Sequence, residues 1–409
     1  MQCELISTGS ELLSGRTINR HAQALAQALA PLGIELVRDT TLPDDRARIV
    51  ETLREAVARV PLVFISGGLG PTVDDLSRDA VAALLDRELE VDEEALEAIR
   101  RKCEERGLAF SEARQRQALV VSGAEVLPNS VGAAPGERLE VGSSVLFMLP
   151  GPPDEFHAVL HEQIVPRLQK QEEVRAGHIF MVCGLAEADM IERFEEKKFP
   201  PAGVDVAFCA APGRIEVRLS AETEETIGTA VTAARAILGA TVFAEARRTM
   251  EEVVGALLSD RNETLAVAES CTGGLLGHRL TNVSGSSNYF MGGVLAYSNE
   301  SKCRDLGVEE STLQAVGAVS TEVAQQMAAG VRDRFDSTYG LGITGIAGPS
   351  GGTEEKPVGL VYIGLSSPDG TVTRRFTFGG GRARVKQWSS QMALNMLRLK
   401  LAGALEKDA

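Results

Sequence analysis

Cysteine and histidine are both scarce: six and five respectively in 409 residues. Cys3, Cys103, Cys183, Cys209, Cys271 and Cys303 form no C-x-x-C pair, which excludes a disulfide framework and a zinc module of Cys/His spacing. Five histidines leave little room for a histidine-rich metal site either. Chemistry here must come from carboxylates, hydroxyls, Lys, Arg and backbone amides. Basic charge is also in deficit. Forty-two Lys and Arg stand against 57 Asp and Glu, a net charge of -15. A nucleic-acid partner needs a basic face, so direct nucleic-acid binding is not expected, although one small basic pocket remains compatible. Long apolar runs are absent too, and none approaches the roughly 18–20 residues of a membrane span. The chain enters an ordinary strand at once, with no charged segment followed by an apolar one. A cytoplasmic location without a membrane partner is expected.

What the chain has is glycine, 41 residues of it, gathered into a few loops. Its 44% hydrophobic and 24% charged residues suit a soluble globular protein, and the length suits two to three domains of about 150 residues each. Strand and helix alternate through residues 1–168. Strands are predicted at Cys3–Ser7, Ile34–Val37 and Leu62–Ile65, with a hairpin of Leu139–Val141 and Val145–Leu149. Helices are predicted at His21–Leu32 and after Asp44 or Asp45, where Val50, Leu53 and Val57 form an apolar stripe. This alternation predicts a doubly wound, mostly parallel sheet. A polar stretch, Gln169–Gly177, marks a boundary. Residues 169–248 then read β-α-β-β-α-β, a small independent split βαβ unit. Residues 249–409 read as a second layered α/β domain. It has strands at Leu265–Ala268, Gly293–Tyr297 and Tyr339–Ile343, a hairpin of Val358–Leu365 and Thr371–Phe378, and a last helix from about Ala383 to Lys400. The expected fold class is therefore α/β: two three-layer α/β domains joined by a small α+β module.

Two constellations could carry chemistry. The first is Ser66-Gly67-Gly68-Leu69-Gly70-Pro71-Thr72-Val73-Asp74-Asp75. Glycines after a buried strand let backbone N–H groups approach an anion, and the following helix adds a positive dipole. Thr8-Gly9-Ser10-Glu11, Asp44 and Asp45 would open on the same sheet edge, where ligands of open α/β sheets bind. A tight turn with Asp74 and Asp75 as helix caps explains the glycines equally well. The second constellation is Ser286-Ser287 with Tyr297-Ser298-Asn299-Glu300-x-Lys302. A serine needs a base, and no histidine is well placed to serve as one. Lys302 can act if desolvation lowers its pKa, and Tyr297 could relay the proton. Spacing alone equally allows a surface loop with a solvated charge.

The first domain's motifs continue in Pro128-Asn129-x-x-Gly132, Ala134-Pro135-Gly136 and Leu149-Pro150-Gly151-Pro152-Pro153. With Thr8–Gly15 and Ser66–Asp75 they resemble the molybdopterin-binding (MoaB/MogA-like) domain in its CinA version. In the CinA competence/damage-inducible family that domain is followed by a KH-like module and an amidase domain. The third unit resembles the amidase through Ala268–Gly274, Gly285-Ser286-Ser287, Tyr297-Ser298-Asn299, Lys302, Gly317–Ser320, Thr344–Pro349 and Glu354–Gly359. The resemblance implies hydrolysis of the carboxamide of nicotinamide mononucleotide by a serine–lysine dyad that needs no cofactor. It implies Ser287 as nucleophile, Lys302 as base and Tyr297 assisting, with Ser270, Thr272, Gly273, Thr344 and Arg382 lining the substrate site. Ser270–Gly274 and Arg382 are expected to hold the substrate phosphate.

For the N-terminal domain the resemblance suggests hydrolysis of the ADP-ribose pyrophosphate in a pocket of Gly9, Glu11, Asn19, Asp44, Gly67, Gly68, Gly70, Asp74 and Asp75. Asp44 and Asp75 would collect a divalent metal, Mg²⁺ or Mn²⁺ with Co²⁺ as a third candidate. Two positions depart from the family pattern, His21 and Ala133. A homodimer is implied as well. Two other readings stand beside the enzyme: a non-catalytic molybdopterin- or nucleotide-binding module, and a partner protein in competence or DNA damage.

Overall fold

A computed structural model describes residues 1–105, 107–169 and 176–405. The chain divides into two compact units, Met1–Arg175 and Ala176–Ala409. The expected boundary stretch Gln169–Gly177 falls largely on 170–175, outside the described residues.

In the first unit, β1 (Gln2–Thr8), β2 (Glu35–Leu42) and β3 (Leu62–Ser66) are followed by a separate ribbon of β4 (Leu89–Val91) and β5 (Leu119–Val121). Then come β6 (Glu125–Leu127), β7 (Gly136–Val141) and β8 (Ser144–Leu149), and the six-stranded sheet runs β2-β1-β3-β8-β7-β6. β2, β1, β3 and β8 are parallel; β7 and β6 are antiparallel additions at one edge. Every residue of β3 is buried, as its continuous apolar run requires. Successive side chains alternate between two cores. Leu5, Phe64 and Phe147 pack with Leu25, Leu29 and Phe156 on one face, while Ile6, Ile65 and Met148 pack with Ile49, Leu53 and Val81 on the other.

Two bounds differ from the sequence reading for identifiable reasons. β2 runs on through Arg38–Leu42 because an edge strand keeps pairing with β1 where its side chains are polar. The helix predicted to reach Leu32 stops at Leu29, and a 3₁₀ turn holding Pro31 completes it before Gly33 turns left-handed. Asp45, rather than Asp44, caps the helix Arg46–Arg59 by accepting from the Ala47 and Arg48 amides at 3.0 and 3.1 Å.

The second unit opens with β9 (Ala176–Val182), β10 (Val204–Ala211), β11 (Arg214–Ala221) and β12 (Val242–Ala244), ordered β10-β11-β9-β12. The helices Glu187–Glu196 and Glu224–Leu238 supply Met190, Phe194, Ile227 and Ala234 to the core on one face. The split βαβ pattern is thus present, but it is not an independent body. Met181, Cys183 and Phe243 enter the same core as Met250, Val254, Leu394 and Leu397. Arg398 also donates to the Val242 and Ala240 carbonyls at 3.0 and 2.7 Å.

The five-stranded sheet comprises β13 (Leu265–Glu269), β14 (Phe290–Leu295), β15 (Tyr339–Gly345), β16 (Leu360–Ser367) and β17 (Gly370–Thr377). Its order is β14-β13-β15-β16-β17. β13 lies parallel to both β14 and β15, so the chain leaves it on one side and returns on the other. That reversal opens a crevice at the carboxyl end of β13, where ligands of such sheets bind. Ser298 and Ser320 cap the helices Asn299–Leu306 and Thr321–Arg334, and Thr249 with Glu252 forms a capping box on Met250–Arg261. Among the described residues no helix is long and apolar enough to cross a membrane.

Candidate active site

At the carboxyl end of β13 the chain turns through Ser270-Cys271-Thr272-Gly273-Gly274 into the short helix Leu275–Thr281. Gly273 and Gly274 take left-handed φ of 59° and 90°, which side-chain-bearing residues adopt only with strain. This turn brings Ser270 Oγ to 3.1 Å from Lys302 Nζ, on the Ser298-capped helix. Lys302 is 1% exposed and has no carboxylate partner; its other two contacts are the carbonyls of Ala296 at 2.8 Å and Tyr297 at 3.2 Å. Burial pushes its ammonium below the ordinary lysine range, with opposing contributions from Cys271 and Cys303. Once deprotonated, the amine can keep two N–H groups on those carbonyls and aim its lone pair at the Ser270 hydroxyl. The geometry is that of a nucleophile with its base.

The serine beside Lys302 is therefore Ser270 and not Ser287, which corrects the sequence assignment. Ser287 lies exposed in the 3₁₀ turn Ser286–Asn288, and Lys302 makes no bond to it. The tyrosine role changes as well. Tyr297 contributes its carbonyl to Lys302, while its hydroxyl, on a side chain 64% exposed, accepts from Arg382 Nη2 at 3.1 Å. Arg382 Nη1 donates to the Gly348 carbonyl at 2.9 Å, so the guanidinium ties the loop after β14 to the loop after β15. Thr344 is buried at the end of β15 and donates its hydroxyl to the Ala318 carbonyl at 2.7 Å. That commitment removes it from substrate binding. Thr272 is fully buried, and its Oγ1 has no partner.

The expected phosphate nest at Ser270–Gly274 is already filled by the protein's own anion. The buried Glu269 carboxylate accepts from the amides of Gly274 at 3.0 Å, Leu276 at 3.1 Å and Gly277 at 2.8 Å. These N–H groups at the start of the helix are thus satisfied internally. The Ser270 amide is engaged by Ile343 and the Gly273 amide by Ser270. Among the described residues no protein acceptor meets the Cys271 and Thr272 amides, which stand immediately after the nucleophile. Cys271 itself is buried filler, its thiol pushed up to about 12 by burial.

In the first unit Gly67 donates to the Leu149 carbonyl at 3.0 Å, and both Gly67 and Gly68 are left-handed. The amides of Gly68, Leu69 and Gly70 meet no protein acceptor among the described residues, which leaves a cradle for an anion. The carboxylates do not close around it as expected. Asp44 Oδ2 accepts from Ser10 N and Oγ, both at 2.9 Å; Asp75 Oδ2 accepts from Thr72 N at 2.7 Å and Thr72 Oγ1 at 2.6 Å. Asp74 and Glu11 are exposed, the latter standing over Gly9. Among the described residues no three His, Cys, Asp or Glu side chains gather for a metal. The donor set therefore does not fit the divalent site expected of Asp44 and Asp75. Asn19 is positional too: it donates to Ser7 Oγ at 2.9 Å and accepts from the His21 amide at 3.0 Å. His21 is core, stacked on Phe156 with ring centroids 4.2 Å apart and bonded to Ser66 Oγ at 2.8 Å. An open cavity of about 400 Å³ lies by Gln117, Val131–Ala133 and Pro152–Glu155, away from Asp44 and Asp75.

Two family models match the chain: the probable molybdopterin binding domain over residues 4–170 and the CinA C-terminal domain over residues 247–401. A putative competence-damage inducible protein of Moorella thermoacetica is 42% identical, covering 99% of this chain and 100% of its own. The chain belongs to the CinA family. A CinA-like protein of Dictyoglomus thermophilum is 39% identical over 97% of this chain and 98% of its own. The crystal structure of a competence/damage inducible protein from Agrobacterium tumefaciens is 36% identical over 37% of this chain and 93% of its own, with a TM-score of 0.37.

In this CinA chain the C-terminal match takes in Ser270, Lys302, Tyr297 and Arg382 together. Sequence reasoning placed all four near the site but chose the wrong serine. Its one available signal was position: Ser270 directly follows a buried strand, whereas Ser287 follows an exposed loop. Lys386, discussed below, was not singled out at all.

Proposed function

We propose that this CinA-family chain hydrolyses the carboxamide of nicotinamide mononucleotide to nicotinic acid mononucleotide and ammonia, with Ser270 as nucleophile and Lys302 as base. The observation that carries the reading is the 3.1 Å contact between Ser270 Oγ and a buried lysine with no carboxylate partner. Neutral Lys302 takes the Ser270 proton as Oγ attacks the carboxamide carbon. The oxyanion so formed can be met by the Cys271 and Thr272 amides. The resulting Lys302 ammonium returns the proton to the departing nitrogen, and ammonia leaves an ester on Ser270. Water, deprotonated by Lys302, then attacks the ester; its carbon–Oγ bond breaks, releasing the carboxylic acid and restoring the serine. The same lysine thus acts as base, acid and base again. Incubation of the full chain with nicotinamide mononucleotide should yield equimolar nicotinic acid mononucleotide and ammonia; unchanged substrate would refute the reading.

For the first unit, the three unmatched amides of Gly68–Gly70 favour a phosphorylated ligand, and ADP-ribose is the ligand we propose. Since Asp44 and Asp75 are engaged by Ser10 and Thr72, no cation-dependent step is assigned to them. Calorimetry with ADP-ribose should show binding that survives EDTA. Binding that requires a divalent ion would show that these carboxylates rearrange.

A further inference from the structure

If the Ser270–Lys302 centre handles a phosphorylated substrate, the phosphate cannot use the helix start that Glu269 already fills. The nearest alternative is on the last helix, Arg382–Leu401. Lys386 lies four residues after Arg382, so both project from one face. Lys386 Nζ approaches the nucleophile's own turn: a Cβ added at Gly273 would stand 3.6 Å from it. It is half-buried, and among the described residues it holds no hydrogen bond and no ion pair. Arg382 is bonded only to neutral oxygens, those of Gly348 and Tyr297.

The charge arrangement is otherwise unfavourable. The helix begins Arg382-Ala383-Arg384-Val385-Lys386, with no acidic residue in its first turn and no side-chain cap from Gly381. Cations are disfavoured at the positive end of a helix, and two of these face the site without a counter-ion. Lys302 adds a third amine nearby, although its burial favours the neutral form. A bound dianion would compensate this assembly, whereas a neutral ligand would not.

We propose that Lys386 and Arg382 together form the phosphate subsite of the Ser270–Lys302 centre, so that the substrate class is a pyridine nucleoside monophosphate rather than a nucleoside or free base. This rests on the amidase reading above, and it replaces the loop amides with two side chains as the anion's main contacts. Arg382 supplies a planar fork and Lys386 a compact charge beside the turn, a pairing suited to a terminal phosphate. Gly273 leaves open the space over which the ammonium lies.

The test compares nicotinamide mononucleotide with nicotinamide riboside on the full chain. Wild type should favour the mononucleotide in kcat/KM. Lys386→Ala and Lys386→Gln should each reduce that ratio about tenfold or more through KM, the usual scale for losing a charged phosphate contact, and Lys386→Arg should restore much of it. A wild-type ratio in both Lys386→Ala and Lys386→Gln would overturn the proposal while leaving the amidase reading intact. Should wild type release ammonia from neither compound, the amidase reading fails separately, and calorimetric affinity then decides the subsite. In that case, mononucleotide binding at least tenfold weaker in Lys386→Ala supports it, and equal binding overturns it.

Discussion

A single hydroxyl separates the two serines that could have served as nucleophile, and burial decides between them. Lys302 requires a neutral state to act as base, and the 1% exposure that depresses its pKa is available only where Ser270 also sits. The sign of the pH dependence follows. The active amine is the deprotonated form, so kcat/KM should rise with pH through an apparent pKa below lysine's ordinary 10.5 and then level off. A pH–rate profile with no ascending limb in that range would contradict a lysine base. Cys271 adjoins the nucleophile but has its thiol raised to about 12, so it carries almost no thiolate at neutral pH. Cys271→Ser should therefore keep most of the ammonia release; loss beyond about tenfold would reopen a thiol mechanism.

At the scale of elements, the turn after β13 shows what a sequence can and cannot reveal. Strand, glycine pair and helix were all legible, because a buried apolar run ending in Gly-Gly has few other local solutions. The occupancy of the turn was not legible. A glycine-rich strand-to-helix turn reads as an empty anion nest, and nothing in Ala268-Glu269-Ser270 states that Glu269 folds back onto the amides of Gly274, Leu276 and Gly277. The serine choice failed for a related reason. Ser270 and Lys302 are 32 positions apart and meet only because β13 and β14 are parallel neighbours. In the first unit, likewise, the acidic side chains were found but not their commitments to Ser10 and Thr72. Glu269→Ala would leave three amides facing a buried void. It should destabilise the second unit by roughly 1.5–3 kcal/mol per charge-assisted bond lost, less what water recovers. Chemical denaturation would measure this, and an unchanged midpoint would show that the carboxylate does not hold the turn.

On the scale of the whole molecule, each unit carries its own sheet and its own cradle at the carboxyl ends of parallel strands. The first is braced by a buried pair: Arg78 meets Glu137 at 2.8 Å and also donates to the Leu69 carbonyl at 2.7 Å. Glu137 in turn accepts from the Val121 amide at 2.8 Å. Glu137→Ala would leave Arg78 buried and unpaired, at a cost of about 3–5 kcal/mol, and should lower the unfolding transition of the first unit. A second transition that stays in place would show that the two units unfold separately. The central claim is narrower and concerns the second unit: one buried lysine activates Ser270 to cleave a carboxamide. Ammonia release from nicotinamide mononucleotide, measured side by side for wild type, Ser270→Ala and Ser287→Ala, tests it most directly. The account predicts turnover in wild type and in Ser287→Ala, with at least about a thousandfold loss in Ser270→Ala. Near-normal release from Ser270→Ala, or its loss in Ser287→Ala alone, would contradict it.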